Sequence, residues 1–198
     1  MYEEGLIMAT IIPRWEWRTF GDNFNGADEK IMALNPSEKK SSEKYILSRN
    51  SNENCKIRDD LMDIKSPVNV NEDKLEQWYP TMKLSFPLSK EQVTELYTKF
   101  WKVDVPELAD SYDYASFVAL CEQQKDLCVV NVEKVRHITN IDEAIVEVAE
   151  TKFNGVPNRT VCVEHIDPAL VMSVVRKLGL EGLPNINYIN AMKQAVGL

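Results

Sequence analysis

Charged and apolar residues alternate in several stretches of this chain, and alternation at period two marks strands with two unlike faces. Arg14-Trp15-Glu16-Trp17-Arg18 is the clearest case, with two tryptophans on one face and three charges on the other. Cys55-Lys56-Ile57-Arg58 and Met62-Asp63-Ile64-Lys65 repeat the pattern on either side of Asp59-Asp60, a pair suited to a tight turn. Residues 81–86, 132–138, 144–150 and 160–164 alternate as well, and Tyr45-Ile46-Leu47 adds a short apolar run. Together these segments predict about eight strands, the number at which a sheet closes into a barrel whose interior side chains nearly fill.

Helical signals lie between and after the strands. Ser89 with Gln92 makes a capping-box start for a helix over 90–101, where Val93, Leu96, Tyr97 and Phe100 form an apolar stripe. A second helix is expected over 114–124. Asp167-Pro168 and Gly179 bracket a third over 169–178. Asn185 or Asn187 caps a last helix running to Val196, and residues 27–34 form a short one. The most polar stretch, 35–44, reads as a solvated loop, with 66–77 and 104–113 as further connections. None is long enough to be an interdomain linker. The expected fold class is therefore α+β: an eight-stranded antiparallel barrel with four to five helices outside. A single domain spans 13–198, and 1–12, with a second methionine at position 8, is an N-terminal extension.

Composition narrows the function classes. The 198 residues are 44% hydrophobic and 27% charged, ordinary for one domain with a sizeable core. Lys+Arg number 23 against 31 Asp+Glu, a formal net charge of −8 that excludes a broad nucleic-acid surface. It leaves a local basic cavity open, because net charge describes long-range steering and not one site. No apolar run approaches the roughly 20 residues of a membrane span. Met1-Tyr2-Glu3-Glu4 lacks the basic start of a secretory signal. The four cysteines form no CxxC pair, and His137 and His165 are too few to build a Cys/His zinc site with them. Reduced cysteines and a cytoplasmic location are the expectation.

The unusual feature is which residues share the charged strand faces. Arg14, Arg18, Lys56, Arg58, Lys65, Lys83, Lys134 and Arg136 are the cations; Glu16, Asp63, Glu147 and Glu164 are the anions. If eight strands close, one face turns inward, while helices with apolar stripes cover the other. Cations crowded in a low-dielectric interior repel one another, so such a lining makes sense with an anionic partner. Arginine forks and lysine point charges suit phosphate oxygens. A few carboxylates suit Mg²⁺ or Mn²⁺ completed by water and phosphate. An open sheet with a solvated charged face is the plainer alternative.

The order of these elements resembles the CYTH-like, or triphosphate tunnel metalloenzyme, superfamily, over about residues 13–196. The resemblance rests on Arg14–Arg18 against an ExExK strand and on Lys56–Arg58 with Ile64-Lys65 against a basic hairpin. Lys134-Val135-Arg136 matches a KxR strand, Cys162-Val163-Glu164 a late ExE strand, and Asn187-Tyr188-Ile189-Asn190 echoes a closing SY motif. It implies an eight-stranded tunnel and metal-dependent hydrolysis of inorganic triphosphate, thiamine triphosphate or a nucleotide, with cyclase chemistry the weaker option. On that pattern Arg18, Lys56, Arg58, Lys65, Lys134 and Arg136 bind substrate. Glu16 and Glu164 are catalytic, and Glu16, Glu164 and Glu147 (or Glu150 in its place) hold Mg²⁺ or Mn²⁺. Arg14 and Cys162 stand where two family carboxylates belong. The alternative implied is therefore a weak or inactive polyphosphate-binding module of the same fold. The sequence leaves a homodimer open.

Overall fold

The computed structural model describes residues 11–198; residues 1–10 of the expected extension lie outside the described residues. Eight long strands close into one antiparallel barrel. In chain order they include β1 (Arg14–Phe20), β2 (Ser37–Ser48), β3 (Ser51–Arg58), β4 (Leu61–Val70) and β5 (Glu76–Ser85). A two-stranded ribbon of β6 (Leu88–Ser89) and β7 (Ser111–Tyr112) stands apart, and the barrel resumes with β8 (Leu127–Ile141), β9 (Ala144–Phe153) and β10 (Val156–His165). Around the barrel the order is β1-β10-β9-β8-β2-β3-β4-β5, with β5 returning to β1. The β1–β5 closure is short, Arg14–Glu16 against Glu76–Trp78. Hairpins are closed by Asp59-Asp60, Asp142-Glu143 and Asn154-Gly155, each with positive φ at both central residues. That conformation matches the right-handed twist of the flanking strands.

Among the described residues five α-helices accompany the barrel: α1 (Ala27–Met32), α2 (Lys90–Glu95), α3 (Tyr114–Glu122), α4 (Pro168–Leu178) and α5 (Tyr188–Val196). Ser89 and Gln92 complete the capping box of α2. Asp113 caps α3, Asp167 caps α4 ahead of Pro168, and Asn187 caps α5. Gly179 ends α4 at φ 81°, where an L side chain is strained. The helix expected over 90–101 is α-helical only to Glu95 and continues as a π-helical turn over Leu96–Trp101. Among the described residues no helix is long and apolar enough to cross a membrane.

Three apolar clusters set which strand face looks where. Trp15 and Trp17 of β1 pack with outward residues of β9 and β10 under α1 and α4. On the other flank Ile46, Cys55, Ile57, Met62 and Ile64 lie under α2, its π-helical turn and α3. Once these outward faces are buried, strand alternation sends the charged positions inward. The third cluster is inside: Tyr45, Leu47, Val130, Val132 and Phe153, all on inward positions, meet Tyr188, Ile189 and Met192 of α5. So α5 packs against the lining itself, where the other four helices pack outside.

Two segments differ from expectation. Residues 35–44 are not a loop: β2 begins at Ser37 and pairs with β8 through Ser37↔Ile138 and Lys39↔Arg136. Both faces of this half of β2 are polar because no helix covers the outer one, so the alternation signal vanishes. Residues 66–77 are likewise mostly strand, since β4 runs to Val70 and β5 starts at Glu76. Met192 is fully buried at the α5–barrel contact. Met192→Ala should cost about 3 kcal/mol through the cavity left behind, read as a lower urea midpoint with unchanged slope.

Candidate functional site in the barrel interior

Strand register puts the charged residues on one surface. Glu16 lies opposite Glu164, Arg18 opposite Cys162, and Cys162 opposite Glu147. Arg136 and Lys134 of β8 continue this inward face beside Ala149 and Thr151, while Lys56 lies opposite Asp63, and Asn54 opposite Lys65. All nine nominated site residues are thus on the lining, from the four strands β1, β8, β9 and β10 and the hairpin β3–β4. Of the two acids left open on β9, Glu147 faces inward and the exposed Glu150 does not. His137 is on the outer face, between Glu38 and Val148.

Two buried carboxylates organise the cations. Glu147 accepts from Arg18 Nη1 at 3.2 Å and from Arg136 Nε at 2.6 Å, with a further contact to Arg136 Nη2. Burial alone would raise its pKa, but Arg18 and Arg136 together hold it below the ordinary value. Arg18, only 3% exposed, also donates to Glu16 Oε1 at 2.9 Å and to Thr160 at 3.3 Å. The second organiser is Glu43, which takes Lys134 Nζ at 2.8 Å, the Tyr45 hydroxyl at 3.0 Å and Arg58 Nη1 at 3.5 Å. Burial pushes the Glu43 pKa up, and Lys134 and Lys56 outweigh it, bringing it down to about 2. Burial lowers Lys134 to about 8 despite Glu43. Lys56 is lowered as well, by burial and by its neighbours Arg58 and Lys65.

Glu43 is a lining residue that the sequence pattern does not reveal, because both faces of its stretch are polar. Two residues before Tyr45, it shares that residue's face, which is the signal that was available. Glu76 is a second: it is opposite Glu16 and accepts from Asn187 Nδ2 at 2.8 Å.

At the mouth formed by β1 and β10, ligand atoms of Glu16, Cys162 and Glu164 lie within 4.8 Å of one another. Burial and the facing Glu16 raise the Glu164 pKa, and its ion-pair partner is the exposed Arg14 at 3.8 Å. Two crowded carboxylates, each in contact with one arginine, suit Mg²⁺ or Mn²⁺, which takes one or two carboxylates and completes its shell with water and phosphate. The Cys162 thiol, raised by burial, is a poor partner for so hard an ion. Glu147 stands outside this cluster, its oxygens committed to two guanidinium groups. A cavity of about 310 Å³ opens beside the pair, lined also by Lys65, Trp78, Asn187 and Tyr188.

No family model matches the chain, and no curated protein matches it in sequence. Solved structures do. A candidate adenylate cyclase from Bacillus halodurans aligns with 89% of this chain and 95% of its own, at TM-score 0.50 and 11% identity. HpAC1 from Hippeastrum, a candidate adenylyl cyclase described as having a dominant triphosphatase activity, aligns with 92% of this chain and 96% of its own, at TM-score 0.51 and 10% identity. At such identities the likeness establishes the fold alone, which this chain shares with both structures.

Two stability predictions follow from the buried carboxylates. Glu147→Gln takes the carboxylate from Arg136 and leaves Arg18 with Glu16 alone, so unfolding free energy should fall by about 3 kcal/mol, measured by urea titration. Glu43 stabilises the fold above its ordinary value of 4.5, and that contribution is lost as pH falls from 4.5 toward 2. Acid titration of stability should therefore be steeper across that window in the wild type than in Glu43→Gln.

Proposed function

We propose that the tunnel binds the phosphate chain of a triphosphate-bearing small molecule with a divalent cation and hydrolyses a phosphoanhydride bond. The observation that supports it most is the closed barrel's inward row of cations set against the Glu16–Glu164 pair. Arg18, Lys56, Arg58, Lys65, Lys134 and Arg136 would bind non-bridging oxygens, the guanidinium groups as forks and the ammoniums as point charges. Lys56 and Lys65 make no ion pair among the described residues, so they meet an incoming anion first. Glu43 and Glu147 keep the remaining cations fixed and oriented. Glu16 and Glu164 would hold Mg²⁺ or Mn²⁺, which when bound supplies Lewis-acid polarisation of a phosphoryl oxygen. Positioning and charge neutralisation are most of what phosphoryl transfer needs. Inorganic triphosphate, thiamine triphosphate and nucleotides are the substrate candidates, and the triphosphatase activity described for HpAC1 supports that class.

One observation favours a second reading, binding without turnover. Cys162 stands opposite Arg18 where a family carboxylate is expected, and Glu147 is engaged elsewhere, so the cation would rest on two acids. Phosphate release from tripolyphosphate, thiamine triphosphate and ATP with Mg²⁺ or Mn²⁺ decides the matter. Hydrolysis predicts release that falls roughly 100-fold in Glu164→Gln, the scale of a lost catalytic group. Binding without release supports the second reading, and neither binding nor release overturns both.

The pH dependence of binding is also fixed in sign. Lys134 holds phosphate as an ammonium, and its pKa is about 8. Tripolyphosphate affinity should fall as pH rises through 8, with proton uptake on binding above it. In Lys134→Arg the fall should disappear from that range, as titration calorimetry in two buffers would show.

A further inference from the structure

Tyr188 is the first residue of α5, the helix that packs against the barrel lining. The residue is 8% exposed, and its ring is held from several sides. Phe20 meets it edge-on at 5.1 Å and Tyr45 stacks at 6.4 Å, both centroid to centroid. The Arg18 guanidinium lies 4.5 Å from the ring centroid and the Lys134 ammonium 4.2 Å. The approach to α5 is tied to β1 at the same arginine. Arg18 N–H donates to Asn185 Oδ1 at 2.9 Å, and Ile186 N–H donates to the Arg18 carbonyl.

Against this fixed setting the hydroxyl is an anomaly. It is buried and has no hydrogen-bond partner among the described residues. Tyr45, one ring away, shares its hydroxyl with Glu43 and Lys134, so partners are available in this interior. An unsatisfied buried hydroxyl costs free energy, and in a native protein it points to a group that joins it. The cations of this part of the lining are Arg18, Lys134 and Arg136, held by Glu16 and Glu147, by Glu43, and by Glu147 respectively. Two of those cations can only donate hydrogen bonds, and so can Lys134 while protonated. The group that satisfies an O–H donor set among these cations is an acceptor carrying negative charge.

We propose that the Tyr188 hydroxyl is a ligand-binding donor, completing a phosphate-oxygen subsite with Arg18, Lys134 and Arg136. This rests on the reading that the tunnel binds a phosphate chain and adds a contact from outside the barrel strands. The hydroxyl remains a donor across the neutral range, because burial keeps its pKa above the ordinary value. An incoming phosphate oxygen would take the place at the two guanidinium groups that Glu147 now holds in part, and would accept from Tyr188 as well. The substrate class implied is a compound with unesterified phosphate oxygens.

Tyr188→Phe isolates the hydroxyl, since the ring, its stacking and both cation–π contacts are kept. The measurement is titration calorimetry of inorganic tripolyphosphate in the presence of EDTA, so that neither metal nor turnover contributes, with thermal melts of both ligand-free proteins. The expected result is a roughly tenfold or greater loss of affinity, the scale of one hydrogen bond to a charged group. The ligand-free melting temperature should be unchanged or higher, because no hydrogen bond is removed. Equal affinity in the two proteins overturns the role of Tyr188 and leaves the proposed function standing. A lower ligand-free melting temperature with equal affinity shows a structural hydroxyl and overturns it too. No binding to the wild-type protein overturns the proposed function and this inference together.

Discussion

A closed barrel lined with cations must supply its own counter-charge, and the rest of this structure depends on how it does so. Taking a charge out of water costs several kcal/mol unless it is paired and hydrogen-bonded. Glu43 and Glu147 meet that requirement from β2 and β9, the two strands that flank β8. Each bridges more than one cation: Lys134 and Arg58 for Glu43, and Arg18 and Arg136 for Glu147. The ligand-free interior is thus neutralised at its most buried positions and left cationic at Lys56 and Lys65. Fold and chemistry are coupled here, because the same pairs that let the barrel exist hold its cations in place for an anion.

The apolar part of the structure makes this arrangement possible. Two outer clusters, under α1 with α4 and under α2 with α3, fix which strand faces are turned away from the interior. A one-residue slip in any strand would exchange its apolar and charged faces, so register is strongly specified. The inner cluster around α5 fills part of the lumen with rings and aliphatic chains. What is left for polar chemistry is bounded by Tyr188 and Tyr45 on one side and by the Glu16–Glu164 pair on another.

Much of this was legible in the chain. Trp15 and Trp17 against Arg14, Glu16 and Arg18 fix the two faces of β1 without any structure, and Lys134 and Arg136 do the same for β8. The outer face of β1 is covered by helices, and the contrast between faces is what alternation records. Glu43 was hidden for the converse reason. Lys40 and Ser42 face solvent on β2 while Ser41 and Glu43 face the interior, so both faces are polar and the period disappears. The role of Tyr188 was out of reach because helical periodicity marks an apolar face but not the surface on which it docks. Glu147 could be placed inside, yet its guanidinium partners on β1 and β8 come together only through β9 and β10.

Confining cations to the lumen has a consequence outside it. The whole chain carries −8, so a surplus of positive charge on the lining leaves the outer surface more acidic than that figure. A polyanionic guest approaching from solvent is repelled until it reaches the mouth, and only there does the local field change sign. Such a barrier is long-ranged, and mobile ions screen it within a Debye length of about 8 Å at physiological ionic strength. Salt then works in opposite directions on the two stages of capture, speeding the encounter while weakening the contacts made inside.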